Sequence, residues 1–320
     1  MSRFINRKMK PTRFGFGEGL RFLGEKYPEV VVLGADISNS VCVNYFSELF
    51  PERFFSLGIA EQNMMAVAAG MALEGKLPFV ATYAVFAALR TTDQIRVSVC
   101  YNNVPVKIGG AHAGISVGPD GATHQALEDI AIMRVLPNMM VLSPCDATQT
   151  YQATIAAVEQ VSGPVYLRFG REAVPDFTDP ASEFIVGKGQ QLMDGSDVSI
   201  IATGHMVWES ILAAELLEKE GIHTGVINIH TIKPIDKEII IKAAKETGAI
   251  VTAEEHQISG GFGSAVAEVL AQHHPVPVEF IGMHDRFGES GTPAELLDKY
   301  KMTSKYIADA CRKVLKRKKN

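Results

Sequence analysis

Two histidines and an aspartate share one glycine-rich segment of the chain. Residues 109–125 read GGAHAGISVGPDGATHQ and carry His112, Asp120 and His124. Imidazole and carboxylate groups can move protons and bind hydroxyl groups. The segment follows a predicted strand, a position where long structured loops often carry function. A metal site is the alternative, but the spacing of the two histidines matches no common zinc pattern, so we expect a functional site of another kind.

Glu61 stands at a predicted strand-to-helix junction in the segment SLGIAEQNM, where Leu57, Ile59 and Met64 are its apolar neighbours. A carboxylate among apolar groups binds a proton readily and can share it with a ligand nitrogen. A glutamate in the first turn that complements the helix dipole is equally consistent with this position. Spacing alone does not separate these two interpretations.

Aromatic residues follow the next predicted strand. Tyr83 and Phe86 stand three residues apart in ATYAVFAALR. Such spacing usually indicates packing in a core. Their position just after a strand end also allows them to form a wall for a planar ring.

Two arginines, Arg168 and Arg171, end another predicted strand in the segment YLRFGRE. The guanidinium fork matches the geometry of phosphate oxygens. These side chains are therefore candidates for binding a phosphate group. The alternative is a surface ion pair with Glu172 or Asp176.

Short apolar runs alternate with helical patterns along the first part of the chain. Strands that alternate with helices favour a mostly parallel sheet with helices on both faces, so we predict an α/β fold. In open sheets of this kind, ligands bind at the carboxyl ends of the strands. The predicted strands are 30–33, 54–57, 79–82, 104–108, 139–143 and 165–169, and the predicted helices are 61–73, 85–99, 125–135 and 147–161.

The alternation stops in a stretch rich in proline and aspartate and then restarts. We therefore predict two domains of the same α/β class, residues 1–175 and residues 190–320, joined by a linker at 176–189. The second domain has predicted strands at 198–202, 224–229, 250–253 and 278–281, and predicted helices at 207–220, 237–246, 263–272, 293–300 and 303–316.

Composition excludes several classes of protein. The 320 residues carry a formal net charge of −5 and are 47% hydrophobic and 21% charged, which argues against a disordered chain and gives no support for binding nucleic acid. The apolar run 79–89 is about half the roughly 20 residues that a membrane helix needs, so we expect no membrane association. The four cysteines form no CxxC pattern, and the basic N-terminus lacks the apolar core of a secretory signal. We therefore expect a cytoplasmic protein with free thiols.

Eight segments occur in a specific order along the chain: GADISNS, GIAEQNM, ATYAVF, AHAGISVGPDGATHQALEDIAIMRVLPNM, SPCDATQ, HTIKPID, EEHQISGGFGSAV and RFGESG. Together they resemble the transketolase family of thiamine diphosphate enzymes. The resemblance covers most of the chain and corresponds to the pyrimidine-binding and C-terminal domains, which form the C-terminal half of a full-length transketolase. It implies transfer of a two-carbon ketol unit from a ketose phosphate to an aldose phosphate.

The resemblance also implies roles for individual residues. Glu61 aligns with the glutamate that protonates the aminopyrimidine ring of thiamine diphosphate. Tyr83 and Phe86 match aromatics that stack against this ring, and Leu89 replaces a third aromatic of some family members. The other matches are His112 and His124 with substrate-site histidines near the reacting oxygens, Asp120 with a contact to a donor-sugar hydroxyl, and Arg171 and Ser40 with phosphate-binding residues. Asp36 matches a residue near the cofactor or its dimer interface, and Ile59 is a further cofactor-binding candidate.

The diphosphate site of the family is not recognisable in this sequence. That site needs a Gly-Asp-Gly and a downstream Asn, which hold a divalent metal, whereas Asp120-Gly121 and Asp194-Gly195 lack both the leading glycine and the companion asparagine. The resemblance therefore implies that Mg²⁺ and its oxygen ligands come from a separate N-terminal transketolase subunit. Since the cofactor of the family lies between domains of two chains, it further implies an α₂β₂ heterotetramer.

Other reactions remain open at this point. The chain has the size of the β subunit of a pyruvate-dehydrogenase-type 2-oxo acid decarboxylating component, and a 1-deoxyxylulose-5-phosphate synthase fragment or a transketolase for a sulfonated or branched sugar is also possible. A catalytically silent regulatory module is the non-enzyme alternative, although such a module would not need the reactive side chains named above. Ser116 and His205 have no assigned role, and we expect both to be structural.

Overall fold

Apolar strands and helices alternate along residues 8–318, the part of the chain that this computed structural model describes; the ends of the two predicted domains, residues 1–7 and 319–320, lie outside it. The strands β1 to β14 are Lys8–Pro11, Val30–Gly34, Phe54–Ser56, Leu77–Tyr83, Lys107–Ala111, Met140–Leu142, Val165–Arg168, Ala173–Asp176, Gln190–Met193, Val198–Ala202, Thr224–Asn228, Thr231–Lys233, Ile250–Gln257 and Val278–Met283. The helices α1 to α12 are Thr12–Lys26, Asn44–Ser47, Glu61–Leu73, Ala84–Leu89, Thr92–Gln94, Asp129–Val135, Ala147–Glu159, Met206–Glu218, Lys237–Thr247, Phe262–His273, Pro293–Lys299 and Ser304–Lys318.

The first sheet has seven strands in the order β12-β6-β7-β5-β4-β2-β3. The pairs from β6 to β3 are parallel, and β12 pairs antiparallel with β6 at one edge. Side chains of β2 point alternately to the two faces: Val30 and Val32 pack with α1 and α7, whereas Val31 and Leu33 pack with α3. The sheet is therefore covered on both faces, as a buried parallel sheet requires.

The second sheet has five strands in the order β14-β13-β10-β11-β9, with β9 antiparallel at its edge. Val198 and Ile200 of β10 pack with α8 and α12, and Ile201 packs with α9 and α10. Both domains are thus mostly parallel sheets between helices, which confirms the predicted fold class.

The two domains share structure at their boundary. β12 belongs to the second half of the chain but joins the first sheet. Ile130 and Met133 of α6 lie in the same buried cluster as Ile232 and Ile240 from the second half. The predicted linker begins inside β8, which pairs with β1. The division into 1–175, 176–189 and 190–320 stays a prediction.

Helix α1 is not predicted from the sequence because it is rich in glycine, a weak helix former. The glycines allow close packing: a Cβ at Gly15 would lie 2.0 Å from the carbonyl oxygen of Ala147 in α7, and one at Gly19 would lie 2.7 Å from Cβ of Thr154. The backbones of α1 and α7 can therefore approach one another only with glycine at these positions.

The predicted helix 85–99 is wrong in its continuity. α4 ends at Leu89, and α5 and a π-helix at Ile95–Tyr101 follow. The hydroxyls of Thr91 and Thr92 donate to the carbonyls of Ala87 and Ala88. Such hydrogen bonds from threonine to the preceding turn often bend helices.

Two further elements begin later than predicted. β5 starts at Lys107 and includes Gly109 and Gly110, which leave room for the rings of Phe16 and Tyr166. α6 starts at Asp129 rather than at residue 125, because residues 125–128 run beside the preceding loop in a bridge between Ala113 and Ala126.

Candidate active site

Glu61 is the first residue of α3 and is buried at the carboxyl edge of the first sheet. Its two carboxylate oxygens each lie 3.1 Å from Nη1 of Arg90, whose side chain is half exposed. The same guanidinium lies 3.9 Å from the centre of the Phe86 ring, within the range of a cation–π contact. Glu61 and Phe86 therefore hold one flat, nitrogen-bearing group between them.

Tyr83 and Phe86 form a half-buried aromatic pair that faces both loop histidines. Tyr83 ends β4, and its ring centre lies 5.9 Å from that of Phe86 in a stacked arrangement. The ring of His112 lies 4.3 Å from Tyr83, and the ring of His124 lies 5.3 Å from Phe86. The structure thus brings together four of the predicted site residues.

His112 follows β5 with a positive φ of 55° and is 1% exposed. Its Nε2 lies 3.4 Å from Oγ of Ser40, while its Nδ1 is buried without a hydrogen-bond partner among the described residues. Burial, and then the positive charges of Arg13 and Arg171, lower the pKa of His112 to about 3. The imidazole is therefore neutral near pH 7 and acts as a hydrogen-bonding group.

Ser40 joins the segment after β2 to this cluster. Its hydroxyl lies 2.9 Å from the hydroxyl of Tyr83, and its carbonyl accepts a hydrogen bond of 2.9 Å from Nη1 of Arg13. Sequence analysis does not single out Arg13, which lies in the unpredicted helix α1. Its contact can be recognised only from the structure.

Asp120 and Arg171 form an ion pair at the far end of the glycine-rich loop. Nη1 of Arg171 lies 2.9 Å from Oδ1 of Asp120 and donates to the carbonyl of Val117 at 3.3 Å. Both side chains are about one-third exposed. Asp120 ends a 3₁₀ segment, Ile115–Asp120, that separates the two histidines.

Arg168 does not share this exposed position. Its guanidinium is buried, lies 2.9 Å from Oδ2 of Asp129 and donates to the carbonyl of Glu255 at 2.8 Å. A phosphate role for Arg168 is therefore wrong, because the side chain already holds internal partners away from solvent.

Asp36 and Ile59 lie apart from this cluster. Asp36 follows β2 with a φ of 63° and is exposed, and Ile59, two residues before Glu61, is 75% exposed. Within residues 8–318, no hydrogen bond or ring contact joins either of them to the aromatic pair or the histidines.

The loop also contacts the second domain, through residues for which no role is predicted. The backbone N–H of Ser116 donates to Oε1 of Glu255 at 3.0 Å, and Oε2 of Glu255 lies 3.3 Å from Nδ1 of His205. Ser116 and His205 are expected from the sequence to be structural positions. Neither sequence spacing nor residue type indicates that they meet through Glu255.

Metal clusters and membrane-spanning helices are both absent from the described part of the chain. No group of three or more His, Cys, Asp or Glu side chains between residues 8 and 318 is arranged to hold a metal ion. Over the same range, no helix has the length and apolar character to cross a membrane.

Comparison with known protein families identifies the family to which the chain belongs. Residues 8–176 match the transketolase pyrimidine-binding domain, and residues 187–307 match the transketolase C-terminal domain. The chain belongs to the transketolase family. Membership in this family implies dependence on thiamine diphosphate, and the site described above lies within the pyrimidine-binding match.

The relatives of this transketolase-family chain include proteins of its own length. A Methanocaldococcus jannaschii protein whose name marks it as a transketolase C-terminal section is 45% identical, over 93% of this chain and 94% of that protein. The 6-deoxy-6-sulfo-D-fructose transketolase subunit of a Clostridium species (strain MSTE9) is 42% identical over 92% of this chain and 91% of that protein. An apulose-4-phosphate transketolase subunit of Phocaeicola vulgatus is 38% identical over 97% of this chain and 99% of that protein.

Solved structures support the same assignment. A split-gene transketolase, an inactive β4 tetramer, superposes with a TM-score of 0.90 at 49% identity, over 96% of this chain and 99% of that one. Transketolase from Leishmania mexicana shares the fold, with a TM-score of 0.83 at 23% identity over 98% of this chain and 47% of that one.

Proposed function

We propose that this chain is the C-terminal subunit of a split, thiamine diphosphate-dependent transketolase. In the proposed reaction it transfers a two-carbon ketol unit from a ketose phosphate to an aldose phosphate, and it acts only with an N-terminal subunit. The observation that carries the proposal is the joint presence of a buried Glu61, an aromatic pair and two loop histidines at one sheet edge. A module without catalytic activity would not need this combination.

The residues present fit the pyrimidine half of thiamine diphosphate. The guanidinium of Arg90 is flat and rich in N–H groups, and it lies on Phe86 while donating to both oxygens of Glu61. A planar aminopyrimidine offers a similar face and similar N–H groups. Glu61 would hold the proton shared with the ring nitrogen, and Tyr83 and Phe86 would support the ring, after Arg90 has left the carboxylate. When bound, the cofactor supplies the carbon nucleophile that carries the two-carbon unit.

The other site residues receive substrate roles in this proposal. Neutral His112, together with His124, would hydrogen-bond to the reacting oxygens. Asp120 would bind a hydroxyl of the donor sugar, and Arg171 and Ser40 would bind its phosphate. Arg171 is about one-third exposed beside its ion pair with Asp120, so part of its fork is accessible to an anionic group. Asp36 and Ile59, which are exposed, would meet the cofactor at the subunit boundary.

The proposal assigns the diphosphate and Mg²⁺ to the partner. Support comes from relatives that this chain matches over nearly their whole length, because they too have the size of a C-terminal section. 1-Deoxy-D-xylulose-5-phosphate synthase of Trichormus variabilis, by contrast, is matched at 38% identity over 48% of its length. We propose an α₂β₂ assembly. We also propose that this assembly is cytoplasmic, since all four cysteines are buried free thiols.

The decisive experiment reconstitutes the enzyme. The purified chain with thiamine diphosphate and Mg²⁺ should show no ketol transfer, whereas addition of an N-terminal subunit that carries the Gly-Asp-Gly and Asn pattern should start it. A coupled assay that follows the released aldose phosphate measures both states. Ketol transfer by the chain alone would refute the split-enzyme proposal.

Glu61→Ala in the reconstituted enzyme should lower kcat by about 10²–10⁴-fold, because proton sharing contributes on that order. Glu268→Ala, which also removes a carboxylate from an ion pair but lies outside the site, is the control. Near-normal turnover of the Glu61→Ala enzyme would sink the role of this residue.

The sugar is a separate question. Relatives at 42% and 38% identity are named for a sulfonated and a branched sugar, so a donor outside the common ketose phosphates is a second candidate. A substrate panel should include sulfonated and branched ketoses, common ketose phosphates and pyruvate. Activity with pyruvate and with none of the sugars would contradict the proposed ketol transfer and indicate a 2-oxo acid reaction instead.

A further inference from the structure

Glu255 reaches from the second domain into the loop that carries the candidate substrate residues. It lies in β13 and is 4% exposed. Its Oε1 accepts the backbone N–H of Ser116 at 3.0 Å, across the domain boundary. A carboxylate that accepts a backbone N–H in a buried setting makes a charge-assisted hydrogen bond, which is stronger than a neutral one.

Glu255 is itself held at two places, its backbone and its carboxylate. Arg168, from β7 of the first domain, donates to the carbonyl of Glu255 at 2.8 Å, so the backbone of this residue cannot shift freely. The imidazole of His205 lies 3.3 Å from Oε2. One oxygen therefore faces His205 and the other remains directed at Ser116.

The loop is shaped to approach Glu255 closely. Gly114 has a φ of 87°, a conformation that favours glycine. A Cβ at that position would lie 3.0 Å from Cβ, Cδ and Oε1 of Glu255. Gln125, at the far end of the loop, donates to the carbonyls of Ile115 and of Glu289 in the second domain. The second domain thus contacts the loop at Ser116 and at Gln125.

These contacts position the candidate substrate site. The 3₁₀ segment begins at Ile115, directly after the glycine that faces Glu255, and ends at Asp120, which pairs with Arg171. His112 precedes this segment and His124 follows it. Ser116 lies in this segment, so its hydrogen bond to Glu255 fixes one part of the stretch that carries Asp120.

We propose that Glu255 is a positioning residue for the reaction assigned above, which holds the loop 113–121 in its working geometry through the N–H of Ser116. This inference rests on the proposed function for its kinetic consequence, but the hydrogen bond itself can be tested without activity. The donor sugar, which would contact Asp120, depends directly on the loop position, whereas Glu61 of the pyrimidine pocket is held by Arg90 and not by a loop residue.

Four variants of the full chain test the proposal. Glu255→Ala removes the acceptor, Glu255→Asp keeps the charge but is one methylene too short to reach Ser116 and His205 together, and Glu255→Gln keeps an oxygen at the same distance. Glu268→Ala is the matched control, because Glu268 also pairs across the domain boundary, with Arg134 at 2.6 Å, but touches no loop residue.

The first readout is amide hydrogen exchange of the loop peptide in the isolated full chain. Glu255→Ala and Glu255→Asp should raise its exchange by about tenfold to a hundredfold, since hydrogen bonds to charged groups stabilise by that order. Glu255→Gln, which keeps an acceptor but not the charge, should restore part of the protection, and Glu268→Ala should leave it unchanged. If Glu255→Ala does not fold, the Asp and Gln variants carry the comparison.

The second readout is kinetic, in the reconstituted enzyme. Glu255→Asp should raise KM for the sugar phosphate about tenfold or more and leave the cofactor concentration at half-maximal activity unchanged. The positioning role would be overturned if Glu255→Asp showed the same loop exchange as wild type. It would also be overturned if Glu268→Ala raised the loop exchange as much as Glu255→Asp does. A failure of reconstitution for every variant and for wild type would reject the proposed function while leaving the exchange result to decide the contact.

Discussion

At the scale of single residues, His112 has the most unusual chemical state. It is buried, its backbone is left-handed and one ring nitrogen has no partner in the described part of the chain. Burial lowers its pKa to about 3, whereas a histidine in an unfolded chain titrates near 6.5. A neutral imidazole is useful beside a substrate, because it can donate and accept hydrogen bonds without adding charge.

This difference predicts a pH dependence of stability. Between about pH 6.5 and pH 3 the unfolded chain binds a proton at His112 that the folded chain does not, so the free energy of unfolding falls as the pH falls, by up to about 1.4 kcal/mol per pH unit for one group. The contribution is fully present above pH 6.5. His112→Asn should flatten the slope, as measured by urea unfolding at pH 7.5 and pH 5.5.

A control for this prediction is His273→Asn. His273 is exposed in α10, so its removal should keep the wild-type slope. His230 is buried with a pKa lowered by burial to about 4, and wild-type acid sensitivity should therefore persist in part after His112 is replaced. Equal slopes for wild type and His112→Asn would contradict the prediction.

Which residue contacts could be predicted depends on where they lie in the chain. Ser40, Tyr83 and His112 each follow a strand of the first sheet, and the carboxyl ends of parallel strands meet at one edge, so a shared location follows from the pattern. The pair of Ser116 and Glu255 is 139 positions apart and joins two domains. No local pattern encodes such a contact, because it depends on how the domains dock.

At the scale of elements, the pairing of α1 with α7 depends on missing side chains. Gly15 faces the carbonyl of Ala147, and Gly19 faces Thr154. Glycine costs roughly 0.5–1 kcal/mol relative to alanine in a helix interior. Packing of Phe16, Leu20 and Leu23 against the first sheet offsets this cost.

The prediction at this scale compares two glycines. Gly15→Ala should destabilise the protein by about 1–3 kcal/mol, because the new Cβ meets a backbone oxygen that cannot rotate away. Gly70→Ala in α3, where nothing lies within 4 Å, should instead stabilise it by about 0.4–1 kcal/mol. Thermal or urea unfolding of both variants checks the opposite signs. Stabilisation by both substitutions would show that α1 and α7 are farther apart than described.

Helices α1 and α3 together show what limits the prediction of elements from sequence. The sequence predicts helix α3 with its observed bounds, Glu61–Leu73, because most of its residues are alanine, methionine and other strong helix formers. It does not predict α1, because the glycines lower helix propensity while tertiary packing, which the sequence pattern does not display, requires them. Gly109 and Gly110 mislead the prediction of β5 for the same reason, since they make room for rings from other elements.

At the scale of the whole molecule, the two domains are joined by more than a linker. β12 completes the edge of the first sheet by pairing with β6. Nζ of Lys233, at the end of β12, donates to the carbonyls of Arg134 and Leu136. One buried cluster continues from α6 of the first domain to α9 and α10 of the second.

A chain that ends at residue 188 tests this dependence. It keeps the first domain but exposes the edge of β6 and part of the shared cluster, and unpaired edges promote aggregation. It should therefore elute as aggregates in size-exclusion chromatography and bind a hydrophobic dye. The full chain cleaved once between residues 177 and 188 is the control and should stay assembled. A monodisperse truncated chain would contradict the dependence.

The edge strand β12 also bears on where the gene for this chain can be divided. Two pieces that are encoded and folded separately are least prone to aggregate when each completes its own sheets, because unpaired edges promote aggregation. The junction between the two domains described here does not meet this condition, because β12 would be encoded in one cistron and its partner β6 in another. Recombination should therefore move the two domains together, as one inherited unit.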